Sequence, residues 1–224
     1  MGSSRDIVFL FDVDNTLLDN DTVKSELANE VRAGFGTLGC ERFFAIYEEQ
    51  RKKHGYADFL GTLERFRLEH IDNPDALNLS NWLMSYPFAE RLYPDALAVV
   101  RHVADWGLPV ILTDGDGVFQ PYKLHRSGLW DAFDGRVLDY VHKQDELGAV
   151  ARNYPASHYV VIDDKLSILD AVKKTWGSRV TTIFVRQGHY AREALAAGDD
   201  APADITLDRV ASLMLQDFSQ LAPV

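Results

Sequence analysis

The chain has 224 residues, with 23 Lys and Arg against 34 Asp and Glu, and its formal net charge is −11. This length allows one large domain or one domain with a substantial insertion, and a composition of 46% hydrophobic and 25% charged residues excludes a disordered or fibrous chain. The acidic balance argues against nucleic acid as the main partner, because phosphate backbones attract basic surfaces.

The cysteine content and the apolar runs bear on the cellular compartment. Cys40 is the one cysteine, so it forms neither an internal disulfide nor a thiolate metal cluster, which favours a reducing compartment. No apolar run approaches the roughly 18 residues of a membrane helix. The first residues also lack the basic and long apolar segments of a secretory leader. We therefore predict a cytoplasmic protein that does not enter a membrane.

Short apolar runs alternate with amphipathic stretches along the chain. The predicted strands are residues 7–11, 109–113, 136–141, 159–162, 180–185 and 205–207. The predicted helices are residues 95–106, 117–127, 144–153, 166–176 and 190–197, with a surface loop at 197–204. Continuous apolar runs indicate strands buried on both faces of a sheet. The pattern therefore predicts a doubly wound, Rossmann-like α/β sheet with parallel strands.

One long interruption separates the first predicted strand from the second. It contains no convincing strand, and its apolar side chains recur at helical spacing, as in Val23, Leu27 and Val31. We predict a small helical domain at 18–88, inserted into an α/β domain formed by 1–17 and 89–224. The insertion would lie over the carboxyl end of the first strand, where α/β sheets bind ligands.

Two carboxylates, Asp12 and Asp14, directly follow the first predicted strand. Close carboxylates repel each other, so the pair implies a bound cation, a shared proton or both. Hard oxygen ligands of this kind suit Mg²⁺. The alternative is a turn in which these side chains cap backbone N–H groups. An EF-hand loop is excluded, because Leu17 occupies the glycine position and Val23 the position of the bidentate Glu.

The second predicted strand ends in Thr113, followed by Asp114 and Gly115. A hydroxyl and free N–H groups at the start of a helix form a phosphate-binding arrangement. The alternative is an ordinary turn between a strand and a helix. A dinucleotide-binding loop is a weak interpretation, because Gln120 stands where the third glycine belongs.

Two further strand ends carry charged side chains. Lys143 opens a helix, where a cation is unfavourable unless it has a negative partner such as clustered carboxylates or phosphate. Asp163 and Asp164 end another strand, and their alternative role is to cap the next helix. The competing Lys123 is expected to lie within a helix and to pack or face water. Four unrelated turns explain these strand ends less well than one shared site does.

These residues, in this order, resemble the haloacid dehalogenase superfamily of phosphohydrolases over nearly the whole chain. The stretch 12–17 is similar to the first motif of the family, and Thr113 to the hydroxyl residue of the second. Lys143 is similar to the third-motif lysine, and Asp163 with Asp164 to the acidic fourth motif. The helical insertion is similar to the C1 cap of this family.

The resemblance implies a Mg²⁺-dependent phosphatase that acts on a small phosphorylated metabolite. Asp12 would attack phosphorus and form an aspartyl-phosphate, and Asp14 would protonate the leaving oxygen and later activate water. An acid at position 14 favours phosphate esters over carbon–halogen bonds, because dehalogenase members lack it. The alternatives are a phosphosugar mutase and a phosphate- or metabolite-binding module without turnover.

The resemblance also implies how the phosphate and the metal are held. Thr113, Asp114, Gly115 and Lys143 would bind the phosphate. The metal ligands would be the Asp12 carboxylate, the Asp14 backbone carbonyl and Asp164, with Asp163 bound through water or orienting its neighbour.

Two positions depart from the family pattern, and two other features stay open. Asp114 stands where Asn is usual and Asp163 where Gly is frequent, and Asp170 lies too far along the chain to serve as the trailing acid. His189 and the basic run at 51–54 are predicted to lie at the surface, with substrate contact as the alternative for each. The sequence leaves the substrate and the oligomeric state unspecified.

Overall fold

The computed structural model describes residues 5–197 and 203–221. Within this part of the chain, six strands form one sheet with the order β3-β2-β1-β4-β5-β6. Their bounds are β1 Arg5–Phe11, β2 Leu108–Asp114, β3 Val137–Tyr140, β4 Ala156–Asp163, β5 Val180–Val185 and β6 Ile205–Leu207. Every neighbouring pair is parallel. The predicted doubly wound α/β fold is confirmed.

Helices separate the strands and cover both faces of the sheet. They are α1 Asn20–His54, α2 Phe59–Glu69, α3 Asp75–Ser85, α4 Ala96–Val103, α5 Phe119–Ser127, α6 Leu129–Ala132, α7 Leu147–Asn153, α8 Leu166–Trp176 and α9 Gly188–Ala197. The predicted loop at 197–204 falls largely outside the described residues. No helix among the described residues combines the length and the apolar character needed to cross a membrane.

Strand β1 lies at the centre of the sheet and is buried on both faces. Ile7, Phe9 and Phe11 belong to one apolar cluster, whereas Val8 and Leu10 belong to the cluster on the opposite face. Successive side chains of a strand point to opposite faces, so a strand covered by helices on both faces requires an uninterrupted apolar run. The order of the strands reverses between β1 and β4, which places a ligand-binding crevice at their carboxyl ends.

Helices α1, α2 and α3 occupy the long interruption after β1, as the apolar spacing predicts. Asp19 caps the start of α1 by accepting a hydrogen bond from the Thr22 N–H at 2.9 Å, and Gly55 ends the helix in the left-handed region. The apolar cluster on this face is continuous from β1 into these helices. The ring centroids of Phe59 in α2 and Phe119 in α5 lie 5.7 Å apart. The division of the chain into domains at 18–88 stays a prediction.

Candidate active site

Three buried carboxylates meet at the carboxyl ends of β1 and β4. Asp12 directly follows β1, and Asp163 and Asp164 lie at the end of β4. One carboxylate oxygen from each residue lies within 4.8 Å of the other two. The Asp12 N–H donates to the Ile162 carbonyl at 3.0 Å, which ties the two strand ends together. We call Asp12, Asp163 and Asp164 the acidic centre.

Lys143 inserts its ammonium group between two members of the acidic centre. Its Nζ lies 2.6 Å from Asp12 Oδ1 and 2.7 Å from Asp163 Oδ2, and the residue is only 1% exposed. Burial opposes the charge of Lys143, but the Asp12 and Asp163 carboxylates outweigh burial and raise the pKa of the lysine. Lys143 is thus held as a cation beside the two aspartates. Asp12 and Asp163 are thus the negative partners that the sequence predicts for a lysine at the start of a helix.

The acidic centre fits a divalent cation. Among the described residues, Asp12 Oδ2 and both carboxylate oxygens of Asp164 are buried without a hydrogen-bond partner. Burial, together with the nearby Asp12 and Asp163 carboxylates, raises the pKa of Asp164. A buried carboxylate without partners is costly, and carboxylate oxygens are the ligands that Mg²⁺ prefers. These three side chains could therefore hold a metal ion.

Asp14 follows Asp12 by two residues, and its carboxylate forms a different ion pair. The Nζ of Lys123 in α5 lies 2.5 Å and 2.7 Å from its two carboxylate oxygens. Lys123 lies within α5 and is buried, as one of its two predicted alternatives has it, and it does not face water. Its ion pair with Asp14 was not predicted from the sequence. The sequence did hold a signal: Lys123 lies four residues after Phe119, on the buried face of α5. A cation on an apolar helix face requires a buried anion.

Thr113 is the last residue but one of β2, and Gln120 holds its hydroxyl. In the sequence, Gln120 stands out only because it lies where a dinucleotide-binding loop has its third glycine. Gln120 Nε2 donates to Thr113 Oγ1 at 2.8 Å, so the hydroxyl hydrogen of Thr113 remains available to a ligand. A Cβ atom on Gly115 would lie 2.6 Å from the Cβ of Gln120. The glycine therefore leaves the room in which Gln120 reaches the threonine.

The Asp114 carboxylate and the Gly115 N–H each have a partner within the protein. Asp114 Oδ1 accepts the Lys143 N–H at 2.8 Å, which joins the end of β2 to the turn that carries Lys143. Burial raises the pKa of the Asp114 carboxyl. The Gly115 N–H donates to the Tyr140 carbonyl at 3.0 Å. Phosphate binding by the Asp114 N–H and by Gly115 stays a prediction.

Asp163 both accepts a hydrogen bond in the turn before α8 and contributes to the acidic centre. Asp163 Oδ1 accepts the Lys165 N–H at 2.8 Å, as in a turn before a helix, while Oδ2 faces Lys143. Asp170, the doubtful trailing acid, lies exposed on α8 and pairs with Lys174 at 2.5 Å. The structure therefore leaves Asp170 outside the site.

A cavity of about 390 Å³ opens beside Asp14. Helix α1, the residues after it and the start of α9 form most of its wall, and residues at or just after the ends of β1, β2 and β4 form the rest. Its lining includes Asp14, Asp114, Lys24, Tyr47, Arg51 and Tyr190. We call this cavity the side pocket. Arg51, from the predicted basic run, lines it and pairs with Glu48 at 2.9 Å.

A polar cluster that sequence reasoning missed ties α1 to α9. The Asp21 carboxylate lies 2.6 Å from His189 Nδ1 and 2.9 Å from Arg192, and Asn15 Nδ2 donates to it at 3.1 Å. Burial opposes the charge of Asp21, but these three partners outweigh burial and lower its pKa. His189 is thus engaged at the edge of the side pocket and does not lie free at the surface. Residues 168 positions apart form this contact, so no local pattern predicts it.

Comparisons with known proteins identify the family of this chain. A family profile described as haloacid dehalogenase-like hydrolase matches residues 8–175. A solved structure described as a haloacid dehalogenase-like hydrolase from Burkholderia xenovorans LB400 is 49% identical, with a TM-score of 0.88, and the alignment covers 98% of this chain and 99% of that one. A search of curated proteins gave no match.

More distant structures share the fold alone. An L-2-haloacid dehalogenase from Xanthobacter autotrophicus is 18% identical with a TM-score of 0.60, over 93% of this chain and 96% of that one. A haloacid dehalogenase (HAD) hydrolase from Bacillus subtilis, whose crystal structure contains bound magnesium, is 14% identical with a TM-score of 0.60. The alignment covers 97% of this chain and 99% of that one. The family profile and the Burkholderia structure each cover most of this chain, and the protein therefore belongs to the haloacid dehalogenase-like hydrolases.

Proposed function

We propose that the protein is a Mg²⁺-dependent phosphatase that hydrolyses a small phosphorylated metabolite through an aspartyl-phosphate on Asp12. The observation that carries this proposal is the acidic centre with its unpartnered oxygens, placed beside a second acid, Asp14, that lines a pocket. Cleavage of a carbon–halogen bond by a carboxylate requires neither a cation nor an acid for the leaving group. The same fold hosts both chemistries, so the site and not the fold supports the choice.

Asp12 is the nucleophile in this proposal. Its Oδ1 is held by Lys143, which fixes the carboxylate against rotation and offsets part of its charge. The carboxylate forms a bond to phosphorus while the bond from phosphorus to the ester oxygen breaks. Water then attacks the aspartyl-phosphate and releases inorganic phosphate and free Asp12.

Asp14 handles the proton in both halves of the reaction. It carries a proton that passes to the leaving ester oxygen, and it later accepts a proton from the attacking water. The ammonium of Lys123 lies 2.5 Å and 2.7 Å from the two carboxylate oxygens of Asp14. Lys123 therefore holds the Asp14 side chain in position for both steps.

The phosphate oxygens face Thr113, whose hydroxyl hydrogen is free because Gln120 donates to its oxygen, and Lys143. The Asp114 N–H completes the proposed phosphate site, and Gly115 contributes the room in which Gln120 reaches Thr113, since its own N–H donates to Tyr140. Asp12, Asp163 and Asp164, with the backbone carbonyl of Asp14, would hold Mg²⁺, which offsets the repulsion between a carboxylate nucleophile and an anionic phosphate. The size of the side pocket and the acidic net charge support a small metabolite as the substrate and argue against nucleic acid.

Hydrolysis of p-nitrophenyl phosphate tests the nucleophile and the metal. We expect turnover with Mg²⁺, loss of turnover with a chelator, and a loss of at least about 10³-fold in kcat for Asp12→Asn. Asp170→Asn is the matched control, because this exposed aspartate pairs with Lys174 on the surface of α8 and lies outside the site. If the folded wild type hydrolyses neither this ester nor a panel of sugar and nucleotide phosphates, the phosphatase proposal fails.

Asp14→Asn distinguishes the phosphatase from the other reactions that the fold can host. The p-nitrophenolate group leaves without a proton, so this variant should lose more activity with an alkyl phosphate than with the aryl ester. Chloride release from 2-chloropropionate, with no turnover of phosphate esters, would establish a dehalogenase instead. A reaction that depends on a bisphosphate would favour a mutase, and binding without turnover would favour a sensing module.

A further inference from the structure

The side pocket lies where the released part of the substrate must lie, if the proposed function is correct. Asp14 is the group that protonates the leaving oxygen, and its side chain lines the pocket. The chemistry of the pocket wall therefore reports on the leaving group. Only this placement of the leaving group rests on the proposed function.

Two other cations, Arg51 and Lys165, also line the side pocket. Arg51 pairs with Glu48 at 2.9 Å. The ammonium of Lys165 lies 4.7 Å from the centroid of the Tyr190 ring, and the residue directly follows Asp164 of the acidic centre. Arg51 therefore has its own counterion, and Lys165 belongs to the wall next to the acidic centre.

Lys24 is the third cation of the pocket, and no carboxylate forms an ion pair with it among the described residues. It lies on the first turns of α1 and is half-buried. Its ammonium lies 4.9 Å from the centroid of the Tyr47 ring. A cation over an aromatic face is held in place by the electrons of the ring, but its charge is not neutralised. Burial accordingly lowers the pKa of Lys24.

The acids near Lys24 partly offset the effect of burial on its pKa, but each of them is paired with another cation. Asp21 pairs with His189 and Arg192. Lys123 pairs with Asp14, and Arg51 pairs with Glu48. The Asp114 carboxylate accepts the Lys143 N–H. Glu193 is exposed at the rim, where water screens its charge. The pocket thus presents a fixed, half-buried positive charge on the side of the leaving group.

We propose that Lys24 binds a second anionic group of the substrate, so that the preferred substrates are phosphate monoesters whose leaving group carries a carboxylate or a second phosphate. A charge-assisted hydrogen bond to such a group is stronger than a neutral one. The preference over an ester whose leaving group is uncharged should therefore reach about 10- to 100-fold in Kd or KM.

Matched pairs of phosphate esters test this proposal. The first pair is 3-phosphoglycerate and glycerol 3-phosphate, which differ in a carboxylate against a hydroxymethyl group. The second pair is fructose 1,6-bisphosphate and fructose 6-phosphate, and it separates a second phosphate from a carboxylate as the recognised group. We would measure KM and kcat with the full chain in Mg²⁺, and the Kd of each ester by calorimetry on the Asp12→Asn protein.

Lys24→Met should remove the preference for the ester whose leaving group is anionic. The affinity for the ester whose leaving group is uncharged should stay within about twofold of the wild-type value. Lys24→Gln serves the same purpose if the methionine variant does not fold. Lys53→Met is the control, because it removes a lysine from the same helix at an exposed position that does not line the pocket.

The outcomes separate this proposal from the phosphatase proposal. Equal affinity for both members of each pair in the wild type, or a preference that survives the loss of Lys24, overturns the anion site even if phosphate is released. Absence of turnover, combined with a binding preference that disappears in Lys24→Met, refutes the phosphatase and supports the anion site. A rise in KM of the doubly anionic ester at constant kcat in the variant supports both.

Discussion

The acidic centre and the side pocket adjoin each other, yet they are built in different ways. The three aspartates of the acidic centre and Lys143, which contacts them, are buried. They lie at or after the ends of parallel strands whose register is fixed by the sheet. The side pocket is lined largely by half-buried and exposed side chains of α1 and α9. The reactive groups are therefore held rigidly by the sheet, while the groups that face the leaving part of the substrate lie on helix surfaces.

This difference has energetic consequences. Removing one partner of a buried ion pair leaves the other charge without solvent or counterion, whereas water replaces a lost partner at the surface. Substitutions in the acidic centre should therefore change both stability and chemistry. Substitutions in the side pocket should change the choice of substrate at little cost in stability.

The largest effect is expected for Lys143→Met. This change leaves Asp12 and Asp163 buried without their cation, so we expect a loss of about 3–5 kcal/mol in the free energy of unfolding. Turnover should fall by at least about 10²-fold. Urea unfolding of the metal-free protein measures the first and aryl phosphate hydrolysis the second.

Arg51→Met is the control for this prediction, because it breaks the exposed pair with Glu48 in the side pocket. Its cost in stability should stay within about 1 kcal/mol. If both variants lose the same stability, the contrast between a rigid centre and a tolerant pocket is wrong.

A smaller effect of opposite sign is expected for Asp164→Asn. Burial and the neighbouring carboxylates raise the pKa of Asp164 to about 9, so at pH 7 the metal-free wild type must bind a proton here that the unfolded chain releases at a pH of about 4. The amide needs no proton, so the metal-free variant should be more stable than the wild type at pH 7 by about 1–3 kcal/mol. Saturating Mg²⁺ should raise the melting temperature of the wild type and leave that of the variant nearly unchanged. Thermal unfolding with Mg²⁺ and with a chelator measures both effects, and an equal response of the two proteins to Mg²⁺ would contradict the assigned ligand.

The smallest effect concerns Asp139 in β3, which forms no salt bridge with a lysine among the described residues. Asp139 pairs in register with Thr113, and within the described residues both its carboxylate oxygens lack a hydrogen-bond partner. Burial, and to a lesser degree the charge of Asp116, raises its pKa to about 7. The folded protein therefore binds a proton here that the unfolded chain releases at a pH of about 4.

The stability that this proton contributes is complete below a pH of about 4 and is lost as the pH rises through about 7. Relative to Asp139→Asn, the wild type should lose stability across this range. The loss should be on the order of 1 kcal/mol, because the side chain is partly open to solvent. Urea unfolding of both proteins at several pH values measures the difference, and a constant difference would show that Asp139 titrates normally.

The sequence by itself determined the sheet and the location of the acidic centre. Uninterrupted apolar runs alternate with amphipathic ones, and such runs form parallel strands buried on both faces. The carboxyl ends of parallel strands meet at one edge of the sheet, so the residues that follow them come together whatever the details of packing. The order of strands and helices alone therefore assigns Asp12, Thr113, Lys143 and the pair at 163 and 164 to one edge.

Only the tertiary structure decided which helix side chains reach that edge. Lys123 pairs with Asp14 across 109 positions of the chain, and this contact depends on how α5 is rotated against the sheet. The position of Lys24 likewise depends on how α1 lies over β1, which the cluster of Asp21 with His189 helps to fix. Helix periodicity defines the face that a side chain shares, but the partner of that face is set by packing between elements distant in sequence.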